Sequence, residues 1–314
     1  SHTKTMTRTR EDGKEEVFSA CIKPDDIRYL GGDKSSSVVA TKLQGRPRTG
    51  ISYDKANEFC ANRGDWITMI DYLEYCALQA LCYIEYANFN NQAALNTNLT
   101  SDGFKQGGLG DGVTNLNWER WAAFNGNNPI VQTYWTAEHN IGNGSTNGDH
   151  YELGNYNADG SNLSTYPAIY RGILNFFGDI WTFIRDVVII NKDKDYNYVY
   201  ILKKGVNHAD VTKDNVNEKC YLIGCQANTN NFITEFDFQR GVYFIPNKVG
   251  SNKKADYNWK RGDDEQDTDK TACVLMLGGH APNGSSAGSG YFYSAWARSV
   301  SPAIVGFFTT VKLD

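Results

Sequence analysis

The side chains best equipped to bind something lie together near the end of the chain, in 277–308, LGGHAPNGSSAGSGYFYSAWARSVSPAIVGFF. His280, Pro282, Asn283, Tyr291, Tyr293, Trp296 and Arg298 are set among glycines and serines there. They follow neither the alternation of a buried strand nor the three-to-four repeat of an amphipathic helix. Such a mixture of Tyr, Ser, Gly and Asn with one Trp and one Arg has the composition of a recognition surface. Rigid aromatics supply contact area and small polar residues supply adaptable hydrogen bonds. The plainer alternative is a glycine-rich connection leading into a last core strand, Ile304 to Val311.

Other chemistry is thinly represented. The seven cysteines, Cys21, Cys60, Cys76, Cys82, Cys220, Cys225 and Cys273, form no CxxC pair and lack the paired spacing of a zinc site. Reduced packing thiols are expected, with Cys273 buried in the apolar strand ACVLML. Among the five histidines, only His280 falls in the candidate surface; His2 opens the chain and His139, His150 and His208 lie in polar stretches. Glu74 and Glu85 are three helical turns apart, roughly 16 Å, too far for a two-carboxylate mechanism. Asp111, Asp149 and Asp159 are scattered and form no D-x-D-x-D-G calcium loop. Nothing implies a cofactor or a catalytic residue, and no enzyme activity is expected.

The net charge of -5 and the lack of a basic block argue against a nucleic-acid partner. The longest apolar runs, such as Val187 to Ile190, are far too short to insert in a membrane. The opening SHTKTMTRTREDGKEE is polar and reads as no signal peptide, although Ser1-His2 looks like a tag scar and leaves a removed leader open.

The elements that must position this surface are easier to read. Residues 1–45 form an N-terminal arm with short β segments at Val17 to Ile27 and Ser37 to Leu43. A helix begins after Ser52 and stops at Gly64. A longer one runs from about Asp71 to Phe89, with Leu73, Cys76, Ala77, Ala80, Leu81 and Ile84 as its apolar face and tyrosines around it. Residues 90–160 are rich in Asn and Gly, with Trp118, Trp121 and Trp135 embedded. Strands are expected at DIWTFIRDVVII, at Tyr196 to Lys204, at Phe236 to Pro246 and at Ala272 to Leu277. Lys253 to Lys270 is highly charged.

Three stretches together are specific. RGILNFFGDIWTF, Arg171 to Phe183, resembles the R-G-x-x-N-x-x-G-N-[IV]-W-[EK]-[FW] signature of C-type lectin-like domains of the formylglycine-generating-enzyme type, with Asp179 and Thr182 as departures. LEYCALQALCYIEYANFNNQ, Leu73 to Gln92, is similar to the long helix and Asn-rich turn of a subgroup from gut bacteria and their phages. GGHAPNGSSAGSGYFYSAWARSVSPAIVG, Gly278 to Gly306, resembles that subgroup's terminal segment, although Val305-Gly306-Phe307-Phe308 stands where Ile-Gly-x-Arg is common. The subgroup comprises the variable proteins of diversity-generating retroelements. In these a reverse transcriptase randomises adenines, so that Asn codons become Tyr, His, Ser, Arg and others. Trp296 cannot arise from an Asn codon in that way.

The resemblance implies an α+β, C-type lectin-like domain over 46–314, with two helices on a small, twisted, mostly antiparallel sheet. Trp181 would be buried beside the long helix and residues 278–306 would form the variable ligand-binding segment. The implied ligand contacts are His280, Ala281, Pro282, Asn283, Ser286, Tyr291, Tyr293, Ala295, Trp296, Arg298, Ser301, Ala303 and Val305, all expected on one exposed face. The implied partner is a protein or glycan receptor on a target cell, with display on a virion tail, beside other phage tail proteins, or on a bacterial surface. Two alternatives remain. A calcium lectin would need an E-P-N or Q-P-D tripeptide where Ala281-Pro282-Asn283 stands. A copper oxidase would need a cysteine pair where only Cys273 is found.

Overall fold

The computed structural model describes residues 51–62, 64, 66–90, 169–171, 173–174, 176–178, 180–191, 197–239, 241–251, 256–260, 272–280, 283, 286–301 and 304–311. It also describes the backbone of two hairpins, β1 (Thr3–Thr9) with β2 (Glu15–Cys21), and β4 (Tyr151–Asn155) with β5 (Asn162–Thr165). The strand expected at 37–43, the three tryptophans of 90–160, Asp111, Asp149, Asp159, His2, His139 and His150 lie outside the described residues.

Helix α1 (Tyr53–Ala61) starts as its sequence predicts, with the Ser52 hydroxyl accepting from the Lys55 amide at 3.3 Å. Its chain reverses at Gly64, whose φ of +136° favours glycine, and leads into β3 (Ile67–Met69). Helix α2 (Tyr72–Tyr86) opens with a reciprocal capping box. The Asp71 carboxylate accepts from the Glu74 amide at 2.9 Å, and the Glu74 carboxylate accepts from the Asp71 amide at 3.0 Å. Glu74 is therefore a cap, and Glu85 holds Arg171 at 2.9 Å.

The face α2 turns inward differs from the expected one. Tyr72, Tyr75, Cys76, Gln79, Cys82 and Tyr83 are buried, whereas Leu73, Leu81 and Ile84 are exposed. Aromatic area and hydrogen bonding together decide this. Each tyrosine buries more surface than a leucine, and each hydroxyl finds a partner. Tyr72 donates to the Phe244 carbonyl at 2.5 Å, Tyr75 to the Ser289 carbonyl at 2.9 Å and Tyr83 to the Asp256 carboxylate at 2.8 Å.

The protein is mixed α+β and mostly sheet. Short pairs β6 (Ile169–Tyr170) with β7 (Ile173–Leu174), and β3 with β17 (Thr309–Val311), flank a nine-stranded sheet. That sheet contains β8 (Trp181–Asn191), β9 (Asn197–Leu202), β10 (Cys220–Gln226), β11 (Asn231–Gln239), β12 (Tyr243–Gly250), β13 (Tyr257–Trp259), β14 (Cys273–Gly278), β15 (Gly288–Tyr293) and β16 (Val305–Gly306). The spatial order is β10-β9-β8-β14-β15-β13-β11-β12, with β16 alongside β8. Pairing is antiparallel except for β13 with β15 and β16 with β8. The sheet curls until its outer strands meet, where the Ala227 amide donates to the Pro246 carbonyl at 2.8 Å. It is larger than the small sheet expected. The stretch 236–246 is the tip of a hairpin rather than one strand, because Gly241 (φ +74°) turns the chain between β11 and β12.

Strand β14 is buried throughout and alternates between two clusters. Val274 and Met276 join Trp181, Phe183, Tyr291 and residues of α1, while Cys273, Leu275 and Leu277 join Phe292, Phe176 and the tyrosines of α2. Trp181 is 2 % exposed, yet it packs in the cluster of the short helix and not beside the long one. The strands expected near the end of the chain are β14 and, in place of one strand over 304–311, the short β16 and β17.

The carboxyl of Asp256 is buried, at 2 % exposure. It accepts from the Gly290 amide at 2.9 Å and from Tyr83, which in turn accepts from Gln79 Nε2 at 2.7 Å. Burial pushes its pKa up to about 7 from 3.8, against those hydrogen bonds. The folded state thus holds a proton that the unfolded chain has released, and this contribution to stability is full below pH 3.8 and lost as pH rises through 7. Asp256→Asn keeps the shape without the charge, so its melting temperature relative to the parent should climb between pH 5 and pH 8. A flat difference across that range would show that the carboxyl titrates normally. Gly288→Ala probes the same contact sterically, because its added Cβ would lie 2.1 Å from Asp256 Oδ1. It should cost about 1–3 kcal/mol in denaturant melts.

Candidate functional site

The terminal segment is fastened at both ends to the stretch 171–183. The Gly178 amide donates to the Gly278 carbonyl at 3.1 Å, and the Trp181 amide donates to the Ile304 carbonyl at 2.9 Å. Between these ties the backbone turns at Gly278 (φ +97°) and Gly279 (φ +78°), and a Cβ on Gly279 would press on Ala287 and Tyr291 at 3.0 Å. The chain then returns as β15 in the middle of the sheet.

A central strand has two covered faces, and this sorts the candidate residues. Tyr291 is buried with its ring edge on Trp181 at 4.5 Å, Ala295 is buried, and Val305 is buried in β16 against β8. These three, expected on the exposed face, have no surface to offer a ligand. Ser301 is exposed, and His280, Asn283, Ser286, Tyr293, Trp296 and Arg298 are partly exposed. Ala281, Pro282 and Ala303 lie outside the described residues.

The partly exposed rings are joined by two that sequence reasoning missed. Trp259 stacks on Tyr293 nearly parallel, 8° between planes and 6.2 Å between centroids, and Trp296 meets Tyr293 edge-on at 5.2 Å. Tyr257 lies 5.6 Å from Tyr291 and 6.3 Å from Trp259. Trp181 sits below this group, 5.2 Å from Tyr293 and 6.0 Å from His280. The missed signal was the alternation Tyr257-Asn258-Trp259, concealed in a stretch that reads as merely charged. Trp259 is 38 % exposed, the most open ring of the group.

Buried amides hold the two strands that carry these rings. Gln226 Nε2 donates to Asn258 Oδ1 at 2.7 Å, Ser294 Oγ to Gln226 Oε1 at 2.5 Å, and Asn197 Nδ2 to Gln226 Oε1 at 3.3 Å. Asn258 Nδ2 reaches the Ala227 and Thr229 carbonyls, both at 2.9 Å. Asn258 therefore points inward and leaves its neighbours Tyr257 and Trp259 facing the other way.

No protein-family model matches the chain, and no curated protein matches it. Rings fixed from below present flat apolar faces, suited to stacking on an aromatic side chain or on the C–H face of a sugar. Around them Arg298 forms an ion pair with Asp54 at 2.5 Å. Cys273 is buried in β14. Asn283 Oδ1 is occupied, taking the His280 amide at 2.7 Å and lying 2.6 Å from His280 Nδ1. That acceptor places the proton of the neutral imidazole on Nδ1 and leaves Nε2 as an acceptor.

Packing drives the His280 imidazole down from 6.5 to about 4, although Asn283 favours protonation. The unfolded chain gains its proton near pH 6.5 and the folded ring only near 4, so the neutral ring's contribution to stability is complete above 6.5 and disappears as pH falls toward 4. A nitrogen-detected NMR titration should find His280 neutral at pH 6. In Asn283→Ala the pKa should drop further, since the supporting acceptor is gone. An ordinary midpoint near 6.5 would show that the ring is not packed as described.

Proposed function

We propose that the chain is a receptor-binding protein that presents one recognition surface, of the kind displayed by variable proteins of diversity-generating retroelements on a C-type lectin-like scaffold. The observation that carries the reading is the row Tyr257, Trp259, Tyr293 and Trp296, partly exposed and seated on buried Trp181 and Tyr291. Two features add support. The resembling stretches 171–183 and 278–306 are hydrogen-bonded to each other at both ends of the surface segment. The remaining accessible positions of the segment, His280, Asn283, Ser286, Arg298 and Ser301, are polar, the chemistry that accompanies aromatic anchors at an interface. The partner proposed is a protein or glycan receptor on a target cell, met from a virion tail or a bacterial surface. A calcium-dependent lectin is disfavoured, because the tripeptide keeps Pro282 and Asn283 but lacks its first ligand, and Asn283 already spends its oxygen on His280.

Truncation separates anchors from foundation. Trp259→Ala, the most exposed site, and Tyr293→Ala or Trp296→Ala should each weaken receptor binding by about 2 kcal/mol or more. Trp181→Ala should instead lower folding stability by about 3–5 kcal/mol. Binding titrations against receptors from a candidate host surface, run beside thermal melts, distinguish the two effects. Lowered melting points with unchanged affinity at Trp259 and Tyr293 would make the row simple core packing.

A further inference from the structure

The aromatic row offers more than apolar faces. Among the described residues, no hydrogen bond of the fold engages the indole N–H of Trp259 or Trp296, the Tyr257 hydroxyl or His280 Nε2. The polar side-chain atoms there that are both buried and unpartnered lie elsewhere, on Tyr170, Arg185 and His208. Trp259 is 38 % exposed, Tyr257 and Trp296 keep partial exposure, and His280 keeps an exposed edge although most of its ring is packed. These four groups are therefore satisfied by water in the free protein and are open to a ligand.

The surface is also close to neutral. The stretch 278–306 carries one ionic side chain, Arg298, and Asp54 neutralises it at 2.5 Å. Asp256, next to Tyr257, is turned inward to Gly290 and Tyr83. The four open groups are themselves uncharged. Two indoles donate, a phenol both donates and accepts, and Nε2 accepts because Asn283 holds the ring proton on Nδ1. A carboxylate or phosphate on the ligand would meet the Nε2 lone pair and an arginine already paired.

We propose that the receptor group taken by this surface is an uncharged oligosaccharide, with one sugar lying on the open face of Trp259 and a hydroxyl donating to His280 Nε2. This rests on the receptor-binding reading and narrows its partner. Sugar C–H faces suit flat rings, and sugar hydroxyls both give and take hydrogen bonds, so one ligand class satisfies the indole donors and the imidazole acceptor together. An apolar protein patch would cover the same groups and leave them unpaired, at a cost. Trp259 and His280 are linked only through Tyr293 and Trp181, at successive centroid distances of 6.2, 5.2 and 6.0 Å, so the ligand must reach beyond a single sugar.

The test is binding of the full chain to a printed array of neutral and acidic bacterial-surface oligosaccharides, then calorimetric titration with the tightest neutral binder. At least one neutral oligosaccharide should bind, and its counterpart bearing a uronic or sialic acid should bind no more tightly. Trp259→Ala should weaken binding by about thirtyfold. Trp259→Phe keeps a flat ring but loses the N–H, and His280→Phe keeps the backbone amide bond to Asn283 but loses Nε2. Each should weaken it by about threefold to tenfold. Binding of acidic oligosaccharides alone, binding of none, or unchanged affinity in folded Trp259→Ala or His280→Phe would overturn the proposal. Trp259 is the most open ring, so its variants decide the matter even where His280→Phe fails to fold. A protein receptor whose binding falls in Trp259→Ala, with no oligosaccharide bound, would sink this inference and leave the receptor reading standing. A receptor and an array both indifferent to Trp259→Ala would sink the two together.

Discussion

One buried carboxyl ties together the strands and the helix beneath the proposed recognition surface. Asp256 occupies a left-handed backbone position (φ +49°) and sits directly under β15, where it takes the Gly290 amide and the Tyr83 hydroxyl. A side chain so close to a central strand is possible only if the strand yields room. A Cβ at Gly288 would collide with its Oδ1 at 2.1 Å, and one at Gly290 would lie 2.7 Å from its Oδ2. The two glycines of Gly-Ser-Gly are therefore spaced for one face of a strand, not for a flexible loop. The same carboxyl draws α2 onto the sheet through Tyr83 and Gln79, and it begins the short strand that delivers Tyr257 and Trp259. Local strain, strand composition and helix orientation are parts of one arrangement.

That arrangement explains what could be read from the sequence. The first helix start was legible because capping is local and Ser52 acts on an amide within a single turn; the second was legible from its apolar residues, and its Asp71–Glu74 capping box was not read. Strand β14 was legible because a short apolar run in a central strand looks the same from any partner's side. The inward face of α2 was not legible. Leu73, Leu81 and Ile84 outrank tyrosine on any hydropathy scale, and only the carbonyls of Phe244 and Ser289 and the carboxyl of Asp256 make the tyrosine face the better one to bury. Those partners are far away in sequence. Trp259 was missed for a similar reason: its place beside Tyr293 comes from the parallel pairing of β13 with β15, which no local pattern encodes.

Strand geometry also restricts how much of the terminal segment is open to change. On β15 the side chains alternate, so Tyr293 reaches the surface while Phe292 is fully buried in the cluster of α2. Tyr291 shares the side of Tyr293 yet is covered by Trp181 and Tyr257. Ala295 and Val305 are likewise walled in. Substitution at these positions would be felt as packing defects before it was felt by any ligand. A surface that tolerates exchange is thus confined to the positions that keep some exposure, from His280 through Asn283 and Ser286 to Trp296, Arg298 and Ser301.

The buried aromatic structure beneath the proposed binding surface has a physical consequence for binding. A flexible loop bearing the same rings would lose conformational freedom for each side chain it immobilised on binding. Here the freedom is already lost on folding. Trp181 supports Tyr293 and His280 from below, Tyr293 is held between Trp259 and Trp296, and the backbone under Trp259 is tied through its carbonyl to Ser294 at 3.1 Å. The rings are therefore presented in place, and a partner need only exclude water from their faces. The same rigidity lets neighbouring polar side chains differ while the ring contacts of Trp259, Tyr293 and Trp296 persist. On the proposed reading, a surface built this way keeps the shape of its anchors while the polar contacts around them change.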